Sequence, residues 1–349
     1  STPFNSREQA VTKTTNSPDR AGLCICMISV HGLIRGHDLE LGRDADTGGQ
    51  TKYVVELASA LAANPDVSKV KLFTRLIIDD EVDDDYAIAE EKLSESASIV
   101  RIKAGPDEYI AKELLWDHLD TFADNLILYF QQQGIVPDII HSHYADAGYV
   151  GSRVANVLGV PLIHTGHSLG RVKRRRLLAS GLNSVEIEQR YNMARRVEAE
   201  EFTLMTAERV ITSTNQEIEE QYELYDYYQP KQMVVVPPGT DLAQFHPPQG
   251  NEWQTGIASE ITRFLADTEK PIILALSRPD ARKNISALIK AYGEDEQLKQ
   301  SANLVIIAGN RDDIRDLDSG AQEVLEDILL QIDRYDLYGK VAYPKHHQA

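Results

Sequence analysis

Short apolar, β-branched runs alternate along the chain with longer stretches in which apolar positions recur at helical spacing. The runs at 23–30, 70–74, 138–143, 160–165, 209–212 and 233–236 predict strands. Their interiors are continuously apolar, as expected of strands covered on both faces. Helices are predicted between them at 49–63, 108–133, 147–158, 186–206 and 216–225, the last preceded by Ser213-Thr214-Asn215 as an N-cap cluster. After Pro237-Pro238-Gly239 and the polar stretch 247–255 a second series begins, with strands at 272–276, 304–308 and 341–343 and helices at 285–292 and 321–334. Alternating β and α elements are the pattern of parallel sheets wrapped by helices, so the expected class is α/β. The boundary falls in 240–255, giving domains at 21–245 and 246–349 behind a disordered tail at 1–20. The second series stops after about three βα units, so that domain is expected to be truncated.

Charge narrows the function classes. Against 36 Lys and Arg stand 54 Asp and Glu, a formal −18, which argues against general affinity for nucleic acid or an anionic membrane. No apolar run reaches the roughly 18 residues a membrane helix needs, and the polar start is no signal peptide, so a cytoplasmic protein is expected. Cys24 and Cys26 are too few for a disulfide framework and lie on one face of the first strand, which predicts packing. The acidic stretch 79–95 reads as a solvated loop and helix start.

Four features carry candidate chemistry. Asp46-Thr47-Gly48-Gly49-Gln50 precedes a helix; paired glycines let backbone N–H groups approach a ligand, and a helix N-terminus favours anions. A plain tight turn is the bland alternative, and neither a dinucleotide nor a P-loop spacing is present. Asp44-Ala45-Asp46 lacks a third ligand in register and reads as loop polarity. Between Arg171 and Arg196 lie eight basic residues and two acidic ones, a local +6 inside a −18 molecule. This is either a solvated face or a site for a phosphate dianion; a nucleic-acid patch is disfavoured by overall charge and the lack of interleaved aromatics. Thr165-Gly166-His167-Ser168-Leu169-Gly170 ends a predicted parallel strand, where open α/β sheets bind ligands. His141 and His143 share a strand face without an evident third ligand, so no metal is expected. Finally, Arg278 and Lys283 flank a loop after the first strand of the second series and could grip a diphosphate.

Together these residues resemble the sucrose-phosphate synthase family of retaining GT-B glycosyltransferases, within glycosyltransferase family 4. The resemblance rests on 31–36 (HGLIRG), 39–58 (LELGRDADTGGQTKYVVELA), 141–148 (HSHYADAG), 165–170 (TGHSLG), 195–201 (RRVEAEE), 211–222 (ITSTNQEIEEQY) and 236–240 (VPPGT), and it extends over roughly 23–345. It implies two Rossmann-like domains facing a central cleft, the first binding acceptor and the second donor. The implied reaction moves glucose from UDP-glucose to fructose 6-phosphate with retention, giving sucrose 6-phosphate and UDP. Carried over by position, Gly48, Gly49 and Gln50 would sit beside the donor diphosphate and acceptor sugar. Lys112, Lys173, Arg195 and Arg196 would bind the acceptor, mainly its phosphate. His167 would contact the glucosyl group, and Arg278 with Lys283 would hold the UDP phosphates, so that no metal cofactor is required. A sucrose-phosphate phosphatase is the implied partner.

The family's E-x7-E segment, whose carboxylates contact the donor, has no counterpart before Ala349. Poor turnover by these 349 residues is therefore expected. Three rivals remain: a sucrose synthase acting on free fructose, which gives no reason to gather Lys173, Arg195 and Arg196; a related glycosyltransferase acting on another sugar phosphate; and a non-catalytic sugar-phosphate sensor, which leaves Arg278 and Lys283 idle.

Overall fold

In the computed structural model, which describes residues 22–250 and 252–346, strand β1 (Leu23–Ile28) runs through the middle of an eight-stranded sheet. The tail expected at 1–20 lies outside the described residues. The other strands are β2 (Val67–Arg75), β3 (Glu90–Lys92), β4 (Ala97–Ile102), β5 (Ile139–His143), β6 (Leu162–Thr165), β7 (Arg209–Thr212) and β8 (Met233–Val235). Their order is β3-β4-β2-β1-β5-β6-β7-β8, parallel throughout except for β3, which runs antiparallel to β4.

The continuous apolarity of β1 has a direct cause. Successive strand side chains point to opposite faces, so Cys26, Ile28 and Val30 join a core with Phe122, Leu126 and Val150, whereas Ile25 and Met27 join another with Val54, Ala58 and Leu72. Helix α1 (Gly49–Ala62) covers the second face; α2 (Leu119–Gln133) and α3 (Tyr144–Leu158) cover the first. Both cysteines are buried, and burial, with Cys24 beside it, pushes the Cys26 thiol up.

Three helices carry the basic segment: α4 (Gly170–Ala179), α5 (Ser184–Tyr191) and α6 (Met193–Thr206). Helix α3 packs closely on α6 through Gly148, where a Cβ would lie 2.5 Å from Thr203 Oγ1 and 3.1 Å from His164 Cε1. Gly148→Ala is accordingly expected to destabilise the fold by about 1–3 kcal/mol, an overpacking cost. An unchanged urea midpoint would show that the two helices yield there.

Several predicted elements differ, each for a local reason. The helix expected at 108–133 begins only at Leu119, after a 3₁₀ segment at Lys112–His118. Upstream, Tyr109 N–H donates to Asp79 and Lys112 N–H to Asp46, so donors a helix would use are held by other loops. The helix expected at 186–206 breaks at Asn192, which is left-handed (φ 47°) and donates its amide to Glu113 O at 2.6 Å. At 216–225 a π turn (Glu217–Gln221) and a 3₁₀ turn (Tyr222–Leu224) replace an α-helix, although Thr214 does accept the Glu217 N–H. The acidic stretch is not all loop: Glu90 pairs with Lys71 and Glu91 with Arg101 at 2.6 Å each, which holds β3 on the sheet edge.

The chain divides between Gly239 and Thr240 into two units. The second carries β9 (Ile272–Leu276), β10 (Asn303–Ile307) and β11 (Val341–Ala342), parallel in the order β11-β10-β9, with α7 (Gly256–Thr262), α8 (Ile285–Glu294), α9 (Glu296–Ser301) and α10 (Ser319–Arg334). Ile289, Tyr292, Leu325 and Ile328 close over Leu304 and Ile306. Strand β9 pairs only with β10 among the described residues, and its Leu274 and Leu276 are 59% and 67% exposed. No helix among the described residues is long and apolar enough to cross a membrane.

Candidate functional site

The first unit places its chemistry at the carboxyl ends of β1, β5 and β6, which are neighbours in the sheet. From β5 come His143 and Tyr144, from β6 Gly166 and His167, and from beyond β1 His31. The polypeptide is bent sharply here: Tyr144 (φ 78°) and His167 (φ 59°) are both left-handed without being glycine. Such strain persists only where the surroundings over-determine it.

His143 Nδ1 and His167 Nε2 lie 3.0 Å apart, and the His167 ring stands edge-on to Tyr53 with centroids 5.0 Å apart. Burial, then His141 and His31, pushes the His167 pKa down to about 3. Burial alone takes His141 to about 4, and burial with its imidazole neighbours carries His143 well below the usual range. These rings are neutral at physiological pH. His31 bonds Asp146 at 2.7 Å and packs edge-on against Tyr144.

A recess beside them is lined by Lys112, Glu113, Trp116, Tyr144, Asp146, Lys173, Tyr191 and Arg196. Three cations meet in it under different constraints. Lys112 is held by Asp46 and lies 3.5 Å from Glu113; burial opposes its charge, but these partners raise its pKa. Arg196 lies 4.6 Å over the Tyr144 ring, donates to Glu200 at 3.0 Å and bonds Ser168 O and Oγ at 2.9 and 3.0 Å. Lys173 sits 3.9 Å over the Tyr191 ring and has no carboxylate partner among the described residues. Burial, Arg196 and Lys112 push its pKa down to about 8. A half-buried cation between two others, with no ion-pair partner among the described residues, has the charge and exposure to take up an anion.

The glycine loop opens α1. A Cβ at Gly48 or Gly49 would meet nothing within 4 Å, so no protein packing requires glycine at either position. The helix start has no side-chain cap; Thr51 N–H turns back to Gly48 O at 3.0 Å, and the Gly48 and Gly49 N–H groups have no partner among the described residues. Gln50 reaches Ser29 Oγ at 3.1 Å and the His143 carbonyl at 3.4 Å, joining the loop to the histidines. Asp44 accepts from the Asp46 and Thr47 N–H groups, bracing the loop from within.

The match to known proteins follows this geometry. Residues 47–244 match Glycosyltransferase Family 4. The chain belongs to that family. Among its relatives, sucrose-phosphate synthase 1 of Arabidopsis thaliana is 43% identical over 93% of this chain and 37% of the relative. A probable sucrose-phosphate synthase 1 of Oryza sativa subsp. indica is 43% identical over 93% and 36%. The chain thus spans little more than a third of the length of these curated relatives. Among solved structures, the sucrose-phosphate synthase of Thermosynechococcus elongatus superposes with a TM-score of 0.64 at 26% identity, covering 93% of this chain and 71% of that one. The catalytic domain of starch synthase IV from Arabidopsis thaliana, bound to ADP and acarbose, gives 0.57 at 14%, over 94% and 75%. These are GT-B glycosyltransferases, and their α/β fold is the one seen here.

Of the residues singled out in the sequence, the structure brings Lys112, Lys173 and Arg196 into one recess. Arg195 is exposed instead, pairing with Asp117 at 2.6 Å in a different groove, because consecutive helical residues diverge by about 100°. Arg278 and Lys283 are exposed on a loop of the second unit, where Asp280 is taken up by Arg282. Sequence reasoning missed Glu200, Asp146 and Tyr191. The R-x3-E spacing of Arg196 and Glu200 was available as an i, i+4 pair, whereas the His31–Asp146 bond spans 115 residues and left no local trace.

Proposed function

We propose that this family-4 glycosyltransferase transfers glucose from UDP-glucose to fructose 6-phosphate with retention, in the cytoplasm, and that its sucrose 6-phosphate passes to a sucrose-phosphate phosphatase. One observation carries the acceptor assignment: Lys173 has no carboxylate in ion-pair distance among the described residues, and burial, Arg196 and Lys112 lower its pKa by more than Glu113 and Asp46 raise it. A phosphoryl group on the sugar offers Lys173 the anion that Lys112 and Arg196 already have in Asp46 and Glu200; free fructose offers none. In the reaction the C1–O bond to UDP breaks as the acceptor hydroxyl oxygen bonds C1 on the same face. The hydroxyl proton passes to the departing phosphate oxygen. In the first unit the Gly48 and Gly49 N–H groups take charge that grows on the diphosphate; in the second unit Arg278 and Lys283 are cationic groups of the kind that supply what a divalent metal would supply. His167 contacts the glucosyl group, and Gln50 orients the acceptor.

Calorimetric titration tests the acceptor. Fructose 6-phosphate is expected to bind at least about 100-fold more tightly than fructose, the worth of two charge-assisted hydrogen bonds. Equal affinities would favour the sucrose synthase rival, and acceptor binding without UDP binding in the full-length protein would favour a sensor. The pH dependence follows from Lys173. In the free protein its ammonium is lost above about pH 8, whereas a bound dianion holds the proton on. Affinity should therefore hold from pH 7 to 8 and fall toward tenfold per unit above it. A profile flat to pH 9.5 would remove Lys173 from the site.

A further inference from the structure

We propose that His143 is a positioning residue: through its bond to His167 it fixes that ring in the Nδ1–H tautomer, so that His167 presents a neutral hydrogen-bond donor to the transferred sugar. The sugar contact rests on the function proposed above; the tautomer does not.

Both rings are neutral, each carrying one N–H, and a single hydrogen fits between His143 Nδ1 and His167 Nε2. If His167 donated, His143 would carry its own hydrogen on Nε2. That nitrogen is buried and has no partner. A buried N–H without an acceptor is rarer and costlier than a buried lone pair without a donor. His143 therefore carries its hydrogen on Nδ1 and donates it. His167 Nε2 accepts, which leaves the His167 hydrogen on Nδ1, a nitrogen with no partner among the described residues.

The surroundings hold this arrangement. His143 belongs to β5, with its ring packed at 4.1 Å on that of His141, whose Nε2 is taken by Thr165 Oγ1 at 2.9 Å. Gln50 reaches the His143 carbonyl from the glycine loop. His167 is pinned by its left-handed backbone and by Tyr53. A neutral donor also suits the chemistry. Positive charge grows on a glucosyl group as its bond to the leaving phosphate breaks; an imidazolium there would oppose it, and an imidazole does not.

The experiment reads the ring directly. The chain carries ten histidines; nitrogen-15 labelling of these, with His167→Asn to identify its signals by subtraction, reports which nitrogen is protonated. The Nδ1–H form is expected for His167 in the unmodified chain at pH 7. His143→Asn, whose amide can donate from nearly the same place, should preserve it, and His143→Phe should release His167 to the Nε2–H form. An Nε2–H tautomer in the unmodified chain would overturn the proposal, and so would retention of Nδ1–H in a folded His143→Phe. Should His143→Phe fail to fold, the unmodified chain and His143→Asn still decide. In the full-length enzyme, His143→Phe should lower kcat on the order of tenfold with the fructose 6-phosphate KM unchanged, and His143→Asn should restore most of it. A full-length protein that shows the Nδ1–H form but does not respond to UDP-glucose at His167 would sink the functional reading and leave the tautomer standing.

Discussion

Replacing Arg196 by alanine should lower the stability of the protein by about 3–5 kcal/mol, because it strands a buried carboxylate. Arg196 and Glu200 have side chains only 4% exposed, one turn apart on α6. Burial pushes the Glu200 carboxyl above its usual range, while Arg196, the Tyr225 hydroxyl and the Gly170 N–H pull against it. Removing the guanidinium takes away the largest of these opposing influences, and Glu200 must then take up a proton or the fold must open. Two companions isolate the cause. Arg196→Ala with Glu200→Gln should recover most of the loss, since the amide needs no counter-ion and can still accept from Gly170 and Tyr225. Arg196→Lys should fall between, keeping the charge but not the fork that also holds Ser168. Urea denaturation measures all three. A single alanine variant within 1 kcal/mol of the parent would show that Glu200 is satisfied without Arg196.

The same residue marks how far the sequence carries a reader. Strand β1 and the glycine loop are written in local pattern, because a strand sealed on both faces must be apolar throughout and a helix start needs its turn chemistry. The concentration of positive charge after His167 is equally local. What decides the site is not. Arg195 and Arg196 are adjacent in sequence and alike in chemistry, yet one faces solvent and the other the recess, a difference fixed by the rotation of α6 against α3. Asn192 turns the chain left-handed between α5 and α6, and no periodicity records a single αL residue. Lys112 meets Asp46 across 66 residues; only the fold brings them together. Glu200 lies in RRVEAEE, a run that reads as a solvated face, and it is buried because Tyr225 and Gly170 cover it.

Lys173→Glu should abolish fructose 6-phosphate binding, on the order of 10³-fold or more, while leaving the protein as stable as before or more so. The two effects have one origin. In the free protein Lys173 is repelled by Arg196 and Lys112, which with burial is why its pKa is low; its charge is a cost to the fold that an anionic ligand relieves. A carboxylate at 173 would be attracted by the same two cations and would occupy the place of the phosphate. The binding loss adds a missing charge-assisted hydrogen bond, about 1.5–3 kcal/mol, to direct repulsion of the dianion. Lys173→Met separates the parts, since it keeps an unbranched stem against Tyr191 without the charge: its affinity should fall only about 10–100-fold, with a Tm at or above that of the parent. Functional sites commonly hold such destabilising charges, and their removal raises stability as activity is lost. Calorimetry and thermal denaturation on the three chains make the comparison. Were Tm and affinity to fall together, Lys173 would be a structural residue, and the acceptor phosphate would have to be sought elsewhere.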